Sequence, residues 1–182
     1  MWKSETGIDI DVESAHVWTL FTDVAGWPKW NAGVEAIELH GAFADGTTFL
    51  MKPPGMDALL STLTDVHAGE SFTDVTVVDA TTVRVFHGLQ PLGRGRTRVT
   101  YRIEVSGPDA EEVGRMASAD FGDVLKSLKQ MAEDAASATR QASSKRSRRL
   151  GCQRMPRCLS SACSSPDTQP NIFGSPSSCC TK

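Results

Sequence analysis

The most constraining feature of the sequence is a strict two-residue alternation in RTRVTYRIEVSGP, which runs from Arg96 to Pro108. One parity is apolar and holds Val99, Tyr101, Ile103 and Val105, whereas the other is charged or polar. This pattern predicts a β-strand with one buried face and one solvated face. Similar runs occur in TGIDIDV, VEAIELHG, DGTTFLMKPPG, LLSTLTDVHAGE and SFTDVTVVDATTVRVFHGLQP, each ended by turn residues. We therefore predict seven strands in one antiparallel sheet.

Helical periodicity appears twice. After the first strand, Val17, Leu20, Phe21 and Val24 follow the i, i+3, i+4, i+7 spacing, and Gly26 and Pro28 end that helix. The segment WPKWN then predicts a second short helix. From Pro108 onward one apolar stripe predicts a single helix of roughly 25 residues, long enough to cover a curved sheet. The predicted fold class is α+β.

Charge divides the chain near residue 135. Residues 1–134 carry 11 Lys or Arg against 21 Asp or Glu, a net charge of −10, whereas residues 135–182 carry 8 against 1, a net charge of +7. The second part also holds all five cysteines and few large apolar groups. We predict one domain over residues 1–135 and a disordered basic tail rich in Ser and Cys over residues 136–182.

The same patterns limit partners and location. The acidic body disfavours nucleic-acid binding, and the basic run Lys145–Arg149 could contact anions, although a solvated tail is the favoured interpretation. No run approaches the roughly 20 apolar residues of a membrane span, and no signal-peptide pattern opens the sequence, so a cytoplasmic location is expected. The four histidines fall on separate elements and the cysteines form no C-x-x-C pair, so neither a metal nor a cofactor is predicted. Nothing requires an oligomer, and a monomer or weak dimer is expected.

Four segments together resemble a known superfamily. They are IDIDVESAHVWTLFTDVAGWPKWN, IELHGAFADGTTFLMKP, VFHGLQPLGRGRTRVTYRIEVSGP and FGDVLKSLKQMAE. The span from Ser4 to Ala135 is similar to the START-like or SRPBCC superfamily, also called polyketide cyclase/dehydrase, which has the helix-grip fold of the birch-pollen allergens. The resemblance implies a curved seven-stranded antiparallel sheet wrapped around a long C-terminal helix, with two short helices after strand 1. It also implies an internal cavity for a hydrophobic small molecule such as a lipid, a sterol or a polyketide.

Within that implied fold, strand parity and helix periodicity suggest which side chains face the interior. The candidate ligand-binding residues are Trp27, Phe49, Met51, Leu63, Phe72, Val85, His87, Val99, Tyr101, Met116, Phe121 and Leu125. For Trp27, a place in the ligand mouth and simple packing remain equal alternatives, whereas packing is favoured for Trp30.

His87 and Tyr101 are the candidates for chemistry. His87 shares its parity with apolar neighbours, so it is either a base for aldol cyclisation or dehydration or a hydrogen-bonded core residue. Tyr101, the only tyrosine, could orient a ligand carbonyl or bond to the backbone. Asp120 and Arg98 are expected to meet water.

Three functions remain open from the sequence. The preferred one is binding or carriage of a hydrophobic small molecule without catalysis. The first alternative is a polyketide cyclase, aromatase or dehydratase that uses the same cavity. The second is a protein-interaction module of the Hsp90-activator type, in which the outer face of the sheet meets a partner.

Overall fold

The computed structural model of the protein describes residues 1–150, with side chains described through residue 141. Seven strands form one antiparallel sheet in the order β1-β7-β6-β5-β4-β3-β2. The strands are β1 (Trp2–Ile10), β2 (Ala36–Leu39), β3 (Thr48–Lys52), β4 (Leu59–His67), β5 (Ser71–Val78), β6 (Thr81–Gly93) and β7 (Arg96–Ser106). The predicted seven-stranded α+β helix-grip fold is confirmed.

Four helical segments accompany the sheet. Helix α1 (Ser14–Thr22) and a 3-10 helix (Val24–Lys29) follow β1, and α2 (Ala110–Ala117) and α3 (Phe121–Leu150) follow β7. The single helix predicted from Pro108 is therefore divided in two. The hydroxyl of Ser118 donates to the carbonyl of Gly114 at 2.8 Å, and the backbone carbonyl of Asp120 accepts from the amides of Asp123 and Val124 in the first turn of α3. A Ser side chain that bonds to the backbone in this way competes with continuation of a helix. None of the helices in the described part of the chain is long and apolar enough to cross a membrane.

The final helix continues beyond the boundary at residue 135 predicted from composition. Its backbone is helical to Leu150, and Ala136 is buried in the core with 6% exposure. Composition understates this extension because short alanines still pack on a helix face. The side chains of Lys145–Arg149 and all of residues 151–182, including the five cysteines, lie outside the described residues. The disordered tail thus stays a prediction.

The inner face of the sheet and one side of α3 form the main core. The alternation predicted for β7 is confirmed, since Val99, Tyr101, Ile103 and Val105 are buried while Arg98 and Arg102 are exposed. From α3, Val124, Leu125, Leu128 and Ala132 pack in the same core as Val99 and Tyr101, whereas Ile103 and Val105 pack with Ala110 in a second cluster. The ammonium of Lys129 donates to the carbonyl of Asp9 at 2.8 Å, and the amide of Asp11 donates to Glu133 at 3.0 Å. These two bonds fasten α3 to the end of β1.

Helix α2 contacts the body of the protein through the face that carries its smallest residues. Ala110 and Gly114 are its buried residues, and the ring of Trp2 lies directly on Gly114. Met116 follows Gly114 by two residues, about 200° around the helix, and is 63% exposed. The expectation that Met116 faces the interior is therefore wrong. The reason is that α2 contacts the body with the face that carries its alanine and glycine.

Candidate functional site

One row of side chains crosses the inner face of the sheet at its centre. Strand register pairs Phe72 of β5 with His87 of β6, and His87 with Tyr101 of β7. All three are buried, His87 with 7% and Tyr101 with 3% exposure. Since cross-strand neighbours share a face, the inward parity predicted for these three residues places them side by side.

His87 makes a short hydrogen bond with an acidic residue that the sequence did not single out. Its Nε2 lies 2.7 Å from Oδ2 of Asp74. Asp74 stands two residues beyond Phe72 on β5, hence on the same face. An ionised carboxylate only accepts hydrogen bonds, so in the neutral form of His87 the proton is assigned to Nε2 and Nδ1 presents a lone pair. That Nδ1 is buried and finds no hydrogen-bond partner among the described residues.

Aromatic rings enclose the imidazole. Phe72 stacks on it with centroids 4.3 Å apart and the planes 8° from parallel. Tyr101 meets it edge to face at 4.3 Å and 77°, and Phe21 of α1 lies 6.0 Å away. The polar ring therefore lies in apolar surroundings, where an unsatisfied nitrogen is costly.

Tyr101 keeps its proton in this setting. Burial raises the pKa of its hydroxyl far above the usual value, and the negative charges of Asp74 and Asp120 raise that pKa further. The Tyr101 hydroxyl is thus a hydrogen-bond donor throughout the physiological range. Asp120 is exposed, as expected, and its carboxylate also lies against Gly33 in the loop before β2.

The tryptophans around Pro28 belong to the packed core. Trp27 and Trp30 are both buried, with ring centroids 6.1 Å apart. Nε1 of Trp27 donates to the carbonyl of Phe21 at 3.0 Å, and its ring stacks on Phe72. This hydrogen bond satisfies the polar atom of Trp27 inside the protein, as packing requires.

These rings are part of a larger set, which we call the aromatic cluster. Its members are Trp18, Phe21, Trp27, Trp30, Phe43, Phe49, Phe72, His87, Tyr101 and Phe121. Trp18 and Phe43 are half-buried and touch each other at 5.8 Å, so they form an edge of the cluster that reaches solvent.

The other candidates fall into two groups. Phe49, Leu63, Val99 and Leu125 are fully buried in the main core. Met51, Val85 and Phe121 are half-buried and pack against a core cluster. With Met116 excluded, the structure brings the remaining candidates to the inside of the sheet.

Sequence reasoning missed Asp74, Phe43 and Trp2. For Asp74, the run SFTDVTVVD is apolar on both parities, so its inward side could be fixed only from the pairing of Phe72 with His87. An aromatic in the polar loop HGAFADG was the available signal for Phe43. Trp2 gave no signal before the register of β1 was known.

The rings of the aromatic cluster pack against one another on the inner face of the sheet, with neighbouring centroids 4.3–6.5 Å apart. Two open depressions lie elsewhere. One borders the start of α2, and the other, of about 430 Å³, lies on the outer face of the sheet beside Arg84, Phe86 and Arg102. Within the described residues, no three His, Cys, Asp or Glu side chains gather as metal ligands would.

The seven-stranded antiparallel sheet with its long C-terminal helix is a helix-grip fold, and the row of polar and aromatic groups lies on the inner face of that sheet. The chain belongs to the family described as polyketide cyclase/dehydrase and lipid transport, whose model matches residues 1–133. No curated protein sequence matches the chain.

Solved structures share the fold at low sequence identity. A START superfamily protein from Mycobacterium smegmatis is 14% identical with a TM-score of 0.61, and the match covers 73% of this chain and 98% of that one. Norcoclaurine synthase from Thalictrum flavum, in complex with dopamine and hydroxybenzaldehyde, is 11% identical with a TM-score of 0.60, covering 73% and 87%. The di-domain aromatase/cyclase BexL from the BE-7585A biosynthetic pathway is 14% identical with a TM-score of 0.61, covering 73% and 47%. These likenesses concern the fold.

Proposed function

We propose that this protein binds a hydrophobic small molecule between the inner face of the sheet and α3. The observation that carries the proposal is the composition of that interior, where the aromatic cluster lies around three neighbouring polar residues, Asp74, His87 and Tyr101. Ligand sites are typically apolar with a small number of placed polar groups. Membership of a family that includes lipid transport supports the same interpretation.

Entry of a ligand among these rings requires side chains of the aromatic cluster to move, because the rings pack against one another. We place the entry at the half-buried edge formed by Trp18 and Phe43, because this edge of the aromatic cluster reaches solvent. Phe43 comes from the loop between β2 and β3, and its ring lies on Phe72 at 5.0 Å. Moving Phe43 outward exposes Phe72, and Phe72 covers His87.

The test begins with native mass spectrometry of the protein purified from its own host, followed by denaturing extraction of any passenger. Binding to a panel of lipids and polyketides follows, using Val85→Phe and Val77→Phe as a matched pair. Val85 lies on the inner face opposite Asp74, whereas Val77 is 61% exposed. We expect Val85→Phe to abolish binding and Val77→Phe to retain it. An empty protein that binds nothing in the panel overturns the proposal and favours the interaction module.

A second function is catalysis in the same interior, as a polyketide cyclase, aromatase or dehydratase, and the contact of 2.7 Å between His87 and Asp74 favours it. In such a reaction Nδ1 of His87 takes a proton from a carbon beside a carbonyl, and Asp74 stabilises the imidazolium that forms. The Tyr101 hydroxyl donates to the carbonyl oxygen as it gains charge.

Turnover of a poly-β-ketone distinguishes the two functions. His87→Ala should abolish turnover and retain binding if the protein is an enzyme. Unchanged turnover in His87→Ala removes His87 from the role of base. Binding with no turnover by the unaltered protein leaves carriage as the function.

A further inference from the structure

The imidazole of His87 contains an acceptor that the protein itself does not use. Nε2 is committed to Asp74, and Nδ1, although buried, has no hydrogen-bond partner in the described part of the chain. Buried polar atoms are nearly always paired, so an unpaired one at a ligand site indicates which group is missing. The missing group is a donor.

The surroundings of His87 favour a donor that belongs to an apolar molecule over an isolated water. A buried water needs two to four polar partners. Here the carboxylate of Asp74 is bonded to Nε2, and the other neighbours identified around the imidazole are the rings of Phe72, Phe21 and Tyr101. A ligand with an apolar body and one hydroxyl or N–H suits both features, since its body packs on the rings and its donor pairs with Nδ1.

Asp74 fixes the direction of this hydrogen bond. While its carboxylate accepts from Nε2, the neutral imidazole can offer only a lone pair at Nδ1. A ligand that carries an acceptor alone, such as an ether, gains nothing at this atom. The site therefore discriminates between molecules of the same shape by a single hydrogen atom.

We propose that the ligand is an apolar molecule with a hydroxyl or N–H group that donates a hydrogen bond to Nδ1 of His87, with Asp74 as the positioning residue. This inference rests on the proposed binding function and names the ligand chemistry of that same site.

The experiment uses two probes of nearly equal shape, 2-naphthol and 2-methoxynaphthalene, of which only the first has a donor. Dissociation constants are measured by calorimetry on the full chain. We expect 2-naphthol to bind about tenfold more tightly, as pairing one buried acceptor implies. In the double variant His87→Phe/Asp74→Val, which keeps a ring in the stack and leaves no freed carboxylate to accept from the naphthol hydroxyl, the difference between the probes should disappear while 2-methoxynaphthalene still binds. His67→Phe, at an exposed position, should leave the difference intact.

Each outcome has one meaning. Equal affinity of the two probes for the unaltered protein overturns the inference and leaves the proposed binding function standing, and this comparison needs no variant to fold. A preference for 2-naphthol that persists in His87→Phe/Asp74→Val also overturns it, because the donor then pairs elsewhere. Failure of both probes to bind overturns the proposed function and the inference together.

Discussion

Asp74 and His87 lie diagonally across β5 and β6, and their side chains meet on the inner face with Oδ2 and Nε2 2.7 Å apart. Both side chains are shielded, with 15% and 9% of their surface exposed. A hydrogen bond to a charged group in such a place contributes more than an ion pair at the surface, since removal of one partner leaves the other buried and unpaired.

The first prediction concerns the strength of this contact. Asp74→Ala should lower the free energy of unfolding by about 1–3 kcal/mol, because Nε2 of His87 loses its acceptor. The same substitution in a His87→Phe background should cost less, which gives a coupling energy of similar size. Urea unfolding of the four proteins measures it. A coupling energy below about 0.5 kcal/mol would show that the two groups act independently.

A surface ion pair provides the control for that cycle. Glu104 accepts from Lys3 at 2.7 Å, the same distance, but both groups reach solvent. Exposed pairs contribute little since water screens them. Glu104→Ala should therefore change stability much less than Asp74→Ala does.

A second prediction follows from the raised pKa of Tyr101. In the unfolded chain a tyrosine loses its proton near pH 10, whereas the folded protein keeps it there. Above that pH the unfolded state binds fewer protons, so stability should fall by about 1.4 kcal/mol per pH unit from this group alone. Tyr101→Phe should remove that component of the slope. Below pH 10 both states are protonated and the effect vanishes.

The chain has one tyrosine, so the change in ultraviolet absorbance that accompanies tyrosine ionisation comes from Tyr101 alone. Tyrosinate should appear only together with unfolding, as followed by circular dichroism. Gradual ionisation near pH 10 in a protein that remains folded would contradict the burial of this hydroxyl.

The sequence predicted the strands and which of their faces are buried. Burial on one face alone requires apolar residues such as Val99 and Tyr101 at every second position, and that alternation can be read locally. The sequence did not predict the contact of Asp74 with His87. That contact depends on which residues of β5 and β6 pair, and register is a long-range property that local periodicity does not contain. The break between α2 and α3 was missed for a different reason, since the bond from the Ser118 side chain to Gly114 is local and the apolar stripe continues across it.

Two helical glycines give the third prediction. Replacing glycine by alanine inside a helix ordinarily stabilises by about 0.4–1 kcal/mol. At Gly114 the new methyl group meets the ring of Trp2, so Gly114→Ala should destabilise the protein. Nothing lies near the corresponding position at Gly122, and Gly122→Ala should be neutral or stabilising. Thermal unfolding compares them. A gain in stability at Gly114 would mean that Trp2 does not lie against α2.

The last prediction concerns the route into the interior. Phe43 covers Phe72 from a loop that is held by Asp45, whose carboxylate accepts from the amide of Val66 at 2.7 Å. Because that anchor does not involve the ring, Phe43→Ala should leave the loop in place and remove only the cover. The association rate of 2-methoxynaphthalene, measured by stopped-flow tryptophan fluorescence, should then rise several-fold.

Phe86 supplies the control for this route. It lies on the outer face of the sheet with the guanidinium of Arg102 4.5 Å above its ring, remote from the proposed entry. Phe86→Ala should leave the association rate unchanged, although it also removes a partly buried ring. An equal increase in both variants would mean that loosened packing, rather than opening at Phe43, limits entry. An unchanged rate in Phe43→Ala would exclude this edge of the aromatic cluster as the way in.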